Sequence, residues 1–184
     1  MEQETIIPPA IVRKAGHGDG DAQALLYRQY SKAMFNICIR MTGNRGDAED
    51  VLQDAFIQAF KNVGQLKQPE AFGGWLRRIV VNECIRYSKR SFTWDDWHDS
   101  HHDNTEDEAT NWWTTINLDM VHREIKTLPE GCRQVFVLFV LEDYSHKHIA
   151  ECLGVSENTS KSQYHRARKL LKERITKQMD IING

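Results

Sequence analysis

Residues 93–110, TWDDWHDSHHDNTEDEAT, hold seven carboxylates (Asp95, Asp96, Asp99, Asp103, Glu106, Asp107 and Glu108) and neither Lys nor Arg. Such a stretch does not enter a core, because unpaired charges lose more hydration than packing returns. A chain of 184 residues interrupted there is expected to build two small cores rather than one. The same stretch hides the balance elsewhere. The net charge is −2, yet outside the segment 24 Lys and Arg face the remaining 19 of the 26 acids. A basic remainder beside a segregated acidic segment fits a polyanion partner better than the net charge suggests.

The flanking sequence reads as helix. Asp19 or Asp21 suits an N-cap, and Leu26, Tyr30, Ala33, Met34, Ile37 and Met41 then recur every three or four residues until Gly43. After TGNRGD a second stripe follows, Val51, Leu52, Ala55, Phe56, Ala59, Phe60 and Val63, with Asp47, Asp50, Gln53 and Asp54 on the other face. GQLKQPEAFGG reads as a loop. A third helix is expected over about 75–89, with Leu76, Ile79, Val80, Cys84 and Tyr87 inward and Arg77, Arg78, Arg86, Lys89 and Arg90 outward. Beyond the acidic segment a short helix over 120–127 ends at LPEG, where Pro129 suits the first turn of the next helix. CRQVFVLFVLEDYS fits a buried strand or a buried helix by periodicity, and its helical neighbours favour helix. With no strand alternation, internal repeat or heptads, the fold expected is all-α. It comprises two small helical domains, residues 1–92 and 116–184, joined by an acidic flexible linker over 93–115.

Other classes are disfavoured. The longest apolar run, VFVLFVL at 135–141, is far short of the roughly 18 residues of a membrane span. The first twenty residues lack the tripartite pattern of a signal peptide, so a cytoplasmic protein without membrane insertion is expected. Cys38, Cys84, Cys132 and Cys152 are far apart, form no CxxC pair and read as buried thiols. His98, Asp99, His101, His102 and Asp103 offer metal-ligand chemistry, but they lack the helical spacing that would preorganise a site. No catalytic residue, metal or cofactor is therefore expected, and the segment reads as a spacer.

The most informative stretch is SHKHIAECLGVSENTSKSQYHRARKLLKERI. A helix over 146–152 stops near Leu153 and Gly154, Ser156 can cap the next, and a turn of about four residues forces the two to cross steeply. Small, inward-facing Ala150 permits close approach, and Gly154 suits the left-handed turn. On the second helix Ser160, Tyr164, Ala167 and Leu171 share one side, while Asn158, Lys161, Ser162, His165 and Lys169 share the other. Residues 156–177 carry seven bases, Lys161, Arg166, Arg168, Lys169, Lys172, Arg174 and Lys177, against Glu157 and Glu173. That density favours phosphate contact, and Asn, Ser, His and Lys near the helix start are types that reach base edges. A basic helix that merely solvates a bundle is the plain alternative, and the preceding turn argues against it.

These segments resemble bacterial RNA polymerase sigma factors of the extracytoplasmic-function (ECF, sigma-70 family) type. DAEDVLQDAFIQAF is similar to their region 2.2, FGGWLRRIVVNECIRYSKR to regions 2.3 and 2.4, and the stretch from LPEG to RARKLL to region 4. The resemblance covers about residues 22–175. It implies a promoter-specificity factor that binds core RNA polymerase, recognises minus-35 and minus-ten elements, directs initiation and is controlled by an anti-sigma factor. Asp50, Gln53 and Asp54 would dock on the β′ clamp helices, with the β subunit as a further contact. A flipped minus-ten base would enter a pocket formed by the loop over 62–74 and the third helix. There Phe72 and Trp75 would stack, Asn82 would bond a base edge, and Arg77, Arg78 and Arg86 would hold phosphates. Trp75 equally suits a core and Asn82 an interhelical bridge. Asn158, Thr159, Lys161, Ser162, His165 and Arg166 would read the minus-35 element, Thr159 and Arg166 through phosphates. Two positions depart from the family pattern: Ser160 stands where an apolar residue is usual, and Gln163 where Arg is frequent. The Ser160 hydroxyl is expected to need a backbone partner. The rival reading is a stand-alone helix-turn-helix regulator, which would be a symmetric dimer; no dimerisation helix is evident, and a monomer is expected when free.

Overall fold

A computed structural model describes residues 7–91 and 118–183, with side chains described over 119–179. The described residues are helical and contain no strand. They divide into two compact units, Met1–Ser88 and Lys89–Gly184. The acidic segment, with its histidines, lies outside the described residues.

The first unit begins with a helix that the sequence reading passed over. Helix α1, Pro9–Gly16, starts on Pro9 and ends in Arg13 and Lys14, an arrangement that suits both ends of the helix dipole. At eight residues it is too short for a conspicuous stripe, and it buries only Val12 and Ala15. Helix α2, Gly20–Thr42, is capped by the Asp19 carboxylate, which accepts from Ala22 N at 2.9 Å, so Asp19 rather than Asp21 is the N-cap. Gly43 ends it at φ 81°, a left-handed geometry that suits glycine. Asn44 then caps α3, Arg45–Asn62, accepting from Asp47 N at 2.9 Å.

Two short 3₁₀ turns, Val63–Gln65 and Pro69–Ala71, lead into α4, Phe72–Ser91. Helix α4 therefore starts three residues before the expected Trp75. Gly73 and Gly74 masked its first turn, since glycine is a poor helix former. The core joins Leu26, Met34, Ile37, Cys38 and Met41 of α2 to Val51, Leu52, Ala55, Phe56 and Ala59 of α3 and Leu76, Val80, Val81 and Cys84 of α4. Ala33, expected inside, is exposed.

In the second unit α5, Leu118–Thr127, is followed by α6, Glu130–Phe136, with Pro129 as the N-cap rather than in the first turn. The ambiguous apolar run is helical, and at Val137–Leu141 it widens into a π turn closed by Glu142 N to Val137 O at 3.1 Å. Helix α7, His146–Leu153, and α8, Glu157–Asn183, complete the unit. Ile125, Leu128, Cys132, Phe136, Leu138, Ile149, Leu153, Ala167, Leu171 and Ile175 are its core.

Candidate nucleic-acid interface

The turn between α7 and α8 forms as its residues dictate. The Ser145 hydroxyl caps α7 by accepting from His148 N at 3.2 Å. Gly154 ends that helix at φ 75°, and the amides of Gly154 and Val155 both donate to Ala150 O. Ser156 opens α8 by accepting from Thr159 N at 2.9 Å. On α8, Asn158, Lys161, His165, Arg166 and Lys169 are exposed, with Thr159 and Ser162 at half burial. All six residues expected to face DNA are thus accessible on the first turns of α8. Lys161 pairs with Glu157 at 2.8 Å, which holds the Glu157 carboxyl below its usual range. An exposed i, i+4 pair is weak because solvent screens it, so Lys161 is readily released to a stronger acceptor. The Ser162 hydroxyl donates to Thr159 O at 3.0 Å, leaving its oxygen lone pairs for a donor.

The buried side of α8 is more polar than its spacing suggests. Ser160 is 0% exposed, and its hydroxyl shares a 2.9 Å hydrogen bond with His146 Nδ1, a side-chain partner instead of the expected backbone one. The His146 ring stacks on Phe139 at 4.2 Å and tilts against Tyr164. Burial, then Lys161 and His165, push the His146 pKa down, and Glu157 opposes them. Gln163 is also inside, where its Oε1 accepts from the Cys132 thiol at 3.0 Å. Burial raises that thiol to about 11, so it remains a donor. Arg168, counted by sequence among the phosphate-binding bases, is instead buried with its guanidinium 5.7 Å from the Tyr164 ring centre. Arg174 is half-buried and donates to Thr127.

A concavity lies in the first unit. It is an open hollow of about 380 Å³ between Asn62, Gln65, Leu66 and Lys67 on the turn side and Trp75 and Ile79 on α4. Trp75 is half-buried, so it has both a packed edge and an accessible one. At about 100° per residue, Arg78, Asn82 and Arg86 fall on the Trp75 face of α4. All three are exposed, although Arg86 is tied to buried Glu83 at 3.1 Å. Two residues assigned to this surface do not belong to it. Phe72 is 1% exposed, with its ring 5.3 Å from Tyr30 and 5.8 Å from Trp75, so it supports Trp75 from beneath instead of meeting a base. Arg77 is exposed but lies about 200° round α4 from Trp75, away from the cleft. The sequence reading missed Gln65, Leu66, Lys67 and Ile79 as cleft lining. The loop punctuation marked the place but not which side chains turn inward.

On α3, Asp50, Gln53 and Asp54 are exposed together. Ile57, at 44% exposure, falls between Gln53 and Asp54 in angle and puts an apolar centre in the polar face. The sequence reading overlooked it, although an Ile seven residues after Asp50 is a readable signal. Asp47 is separate, its carboxyl accepting from the Asn44 side chain, which lowers its pKa.

The family comparisons fall on these two units. Residues 26–91 match Sigma-70 region 2, and residues 118–171 match Sigma-70 region 4. ECF RNA polymerase sigma factor SigM of Mycobacterium tuberculosis is 31% identical over 156 residues, 84% of this chain and 78% of that protein. The chain belongs to the ECF sigma-70 family of RNA polymerase sigma factors. ECF RNA polymerase sigma factor SigW of Bacillus subtilis is 28% identical over 180 residues, covering 89% of this sigma factor and 94% of that one. A solved structure of CnrH in complex with the cytosolic domain of CnrY covers 91% of this chain and 96% of that chain at 22% identity, with a TM-score of 0.49. In this sigma factor the region 2 match begins within α2, so α1 lies before it. The region 4 match runs from the start of α5 to Leu171, taking in the exposed Asn158, Lys161, His165 and Arg166 of α8. Among the described residues no helix is long and apolar enough to cross a membrane.

Proposed function

We propose that this sigma factor reads a minus-35 element with Asn158, Lys161, Ser162 and His165 in the major groove, while Thr159 and Arg166 hold phosphates. The observation that carries this reading is the exposure of Asn158, Lys161, His165 and Arg166, with Thr159 and Ser162 half-buried among them, on the first turns of a capped helix entered through a tight left-handed turn. As α8 enters the groove, Lys161 exchanges Glu157 for phosphate or base acceptors, and counterion release adds a salt-dependent gain.

The cleft beside Trp75 takes a flipped minus-ten base. A base freed from its stack loses a few kcal/mol, and stacking on an aromatic face with hydrogen bonds to its edge offsets that loss. Trp75 supplies the stacking face, Asn62, Gln65 and Asn82 supply edge contacts, and Lys67, Arg78 and Arg86 hold the strand. The Asp50, Gln53 and Asp54 face, centred on Ile57, docks on basic β′ clamp helices of core polymerase, and the β subunit contributes a further contact. An apolar centre ringed by polar groups is the pattern of an energetic anchor at an interface. The acidic linker spaces the two units along the promoter. The protein acts in the cytoplasm, is a monomer when free and is held by an anti-sigma partner.

Run-off transcription with core polymerase tests the whole reading. The expected result is promoter-specific transcript only when this protein is added. Tight, sequence-specific binding by the free protein with no transcript would instead indicate a stand-alone regulator.

A further inference from the structure

Helix α1 packs against the turn that forms one wall of the cleft, and it does so backbone to backbone. A Cβ on Gly16 would stand 3.1 Å from the Gly64 Cα and 3.2 Å from its N. One on Gly64 would stand 3.3 Å from Gly16 O. These neighbours are main-chain atoms with no rotamer to yield, so a methyl group at either position pushes the end of α1 and the turn Val63–Gln65 apart by a few tenths of an ångström. Neither glycine has a left-handed φ, so alanine there brings a steric contact without backbone strain. Helix α1 is a firm support: Val12 and Ala15 are buried, and the Gln23 side chain donates to Ala15 O at 3.1 Å, tying its last turn to α2. At the start of α4 the close contact is with a side chain instead: a Cβ on Gly73 would stand 3.1 Å from the Tyr30 ring.

We infer that the Gly16–Gly64 contact is a positioning pair that sets the width of the cleft, and so determines which minus-ten base this sigma factor accepts. The inference rests on the proposal that the cleft receives that base. Displacing the turn moves Gln65, Leu66 and Lys67 relative to Trp75 and Ile79, and discrimination between bases depends on where those groups stand. Helix α1 thereby acts on specificity from outside the region 2 match.

The test uses core polymerase with the full-length protein on a promoter library randomised through the minus-ten element. Gly16→Ala, Gly64→Ala, Trp75→Ala and Gln65→Ala are compared with wild type, and Gly20→Ala, where a Cβ meets nothing within 4 Å, is the control. Preference is read as a ratio of promoters within one reaction, so it does not depend on the folded fraction. The inference expects Gly16→Ala and Gly64→Ala each to change the ratio of best to next base by about fivefold or more, the size of a modest mismatch. Gly20→Ala should leave it unchanged. If Trp75→Ala or Gln65→Ala shifts the preference while both glycine variants retain the wild-type ratios, or lower every promoter alike, the positioning role is overturned and the cleft reading stands. If neither cleft variant shifts the preference, the cleft reading falls and the inference with it.

Discussion

The α8 surface and the cleft beside α4, for which we propose two different promoter elements, differ in construction. On α8 the outward side chains project from a continuous helix whose inner face is fastened by specific polar pairs, Ser160 to His146 and Gln163 to Cys132. In the cleft one wall is helix, carrying Trp75 and Ile79, and the other, Asn62, Gln65, Leu66 and Lys67, lies around the short turn Val63–Gln65 that packs against the end of α1. A helix N-terminus is enough to enter a groove of fixed shape. A pocket for an extruded base must close on an object from two sides, and a turn supplies the second side. The price of that wall is dependence on packing at a distance.

The largest effect that separates the two constructions is expected at Phe72. As a buried support under Trp75, Phe72→Ala should destabilise the first unit by about 3–5 kcal/mol, measured by denaturant unfolding of the protein. Unchanged stability with altered minus-ten preference alone would return Phe72 to the base-stacking role the structure denies it. Next comes the α3 face: Asp50→Arg with Asp54→Arg should weaken core polymerase binding by about tenfold or more while leaving the unfolding midpoint in place. Equal affinity for core would remove the docking assignment.

A smaller effect concerns the fastening of α8. Ser160→Ala should cost about 1 kcal/mol by leaving His146 without its hydroxyl partner. The same cluster carries a pH dependence. Because the folded pKa of His146 lies below the ordinary 6.5, the unfolded chain takes up the proton first. Its stability contribution is therefore intact above that value and is lost as pH falls below it. Melting curves between pH 7.5 and 5.5 should show a steeper loss for wild type than for His146→Gln. Parallel curves would exclude His146 as a source of the dependence.

The sequence carried the helices whose stripes run for several turns, and the turn between α7 and α8, because Ala150, Gly154 and Ser156 each do locally what their chemistry favours. It also placed Asn158, Lys161, His165 and the Asp50 face correctly on the outside, since exposure on a regular helix follows from angle. What escaped depends on tertiary contacts. Helix α1 is too short to show a period, and α4 hid its first turn behind Gly73 and Gly74. Phe72 looked available because an aromatic beside a glycine pair reads equally as core or reader. Arg168 looked like a phosphate ligand because burial of a guanidinium over Tyr164 leaves no trace in local spacing. Ser160 was rightly marked as out of place on an apolar face, but its partner lies 14 residues away in the chain. No local rule selects His146 over a backbone carbonyl.

Two independently built surfaces, each proposed to read one promoter element, make one direct demand. Holoenzymes carrying Lys161→Ala or Trp75→Ala should be assayed on a library randomised in both promoter elements. The account predicts that Lys161→Ala changes base preference by about 1–3 kcal/mol equivalent within the minus-35 element only, and Trp75→Ala within the minus-ten element only. Each change altering the other element's preference, or neither altering its own, would contradict it.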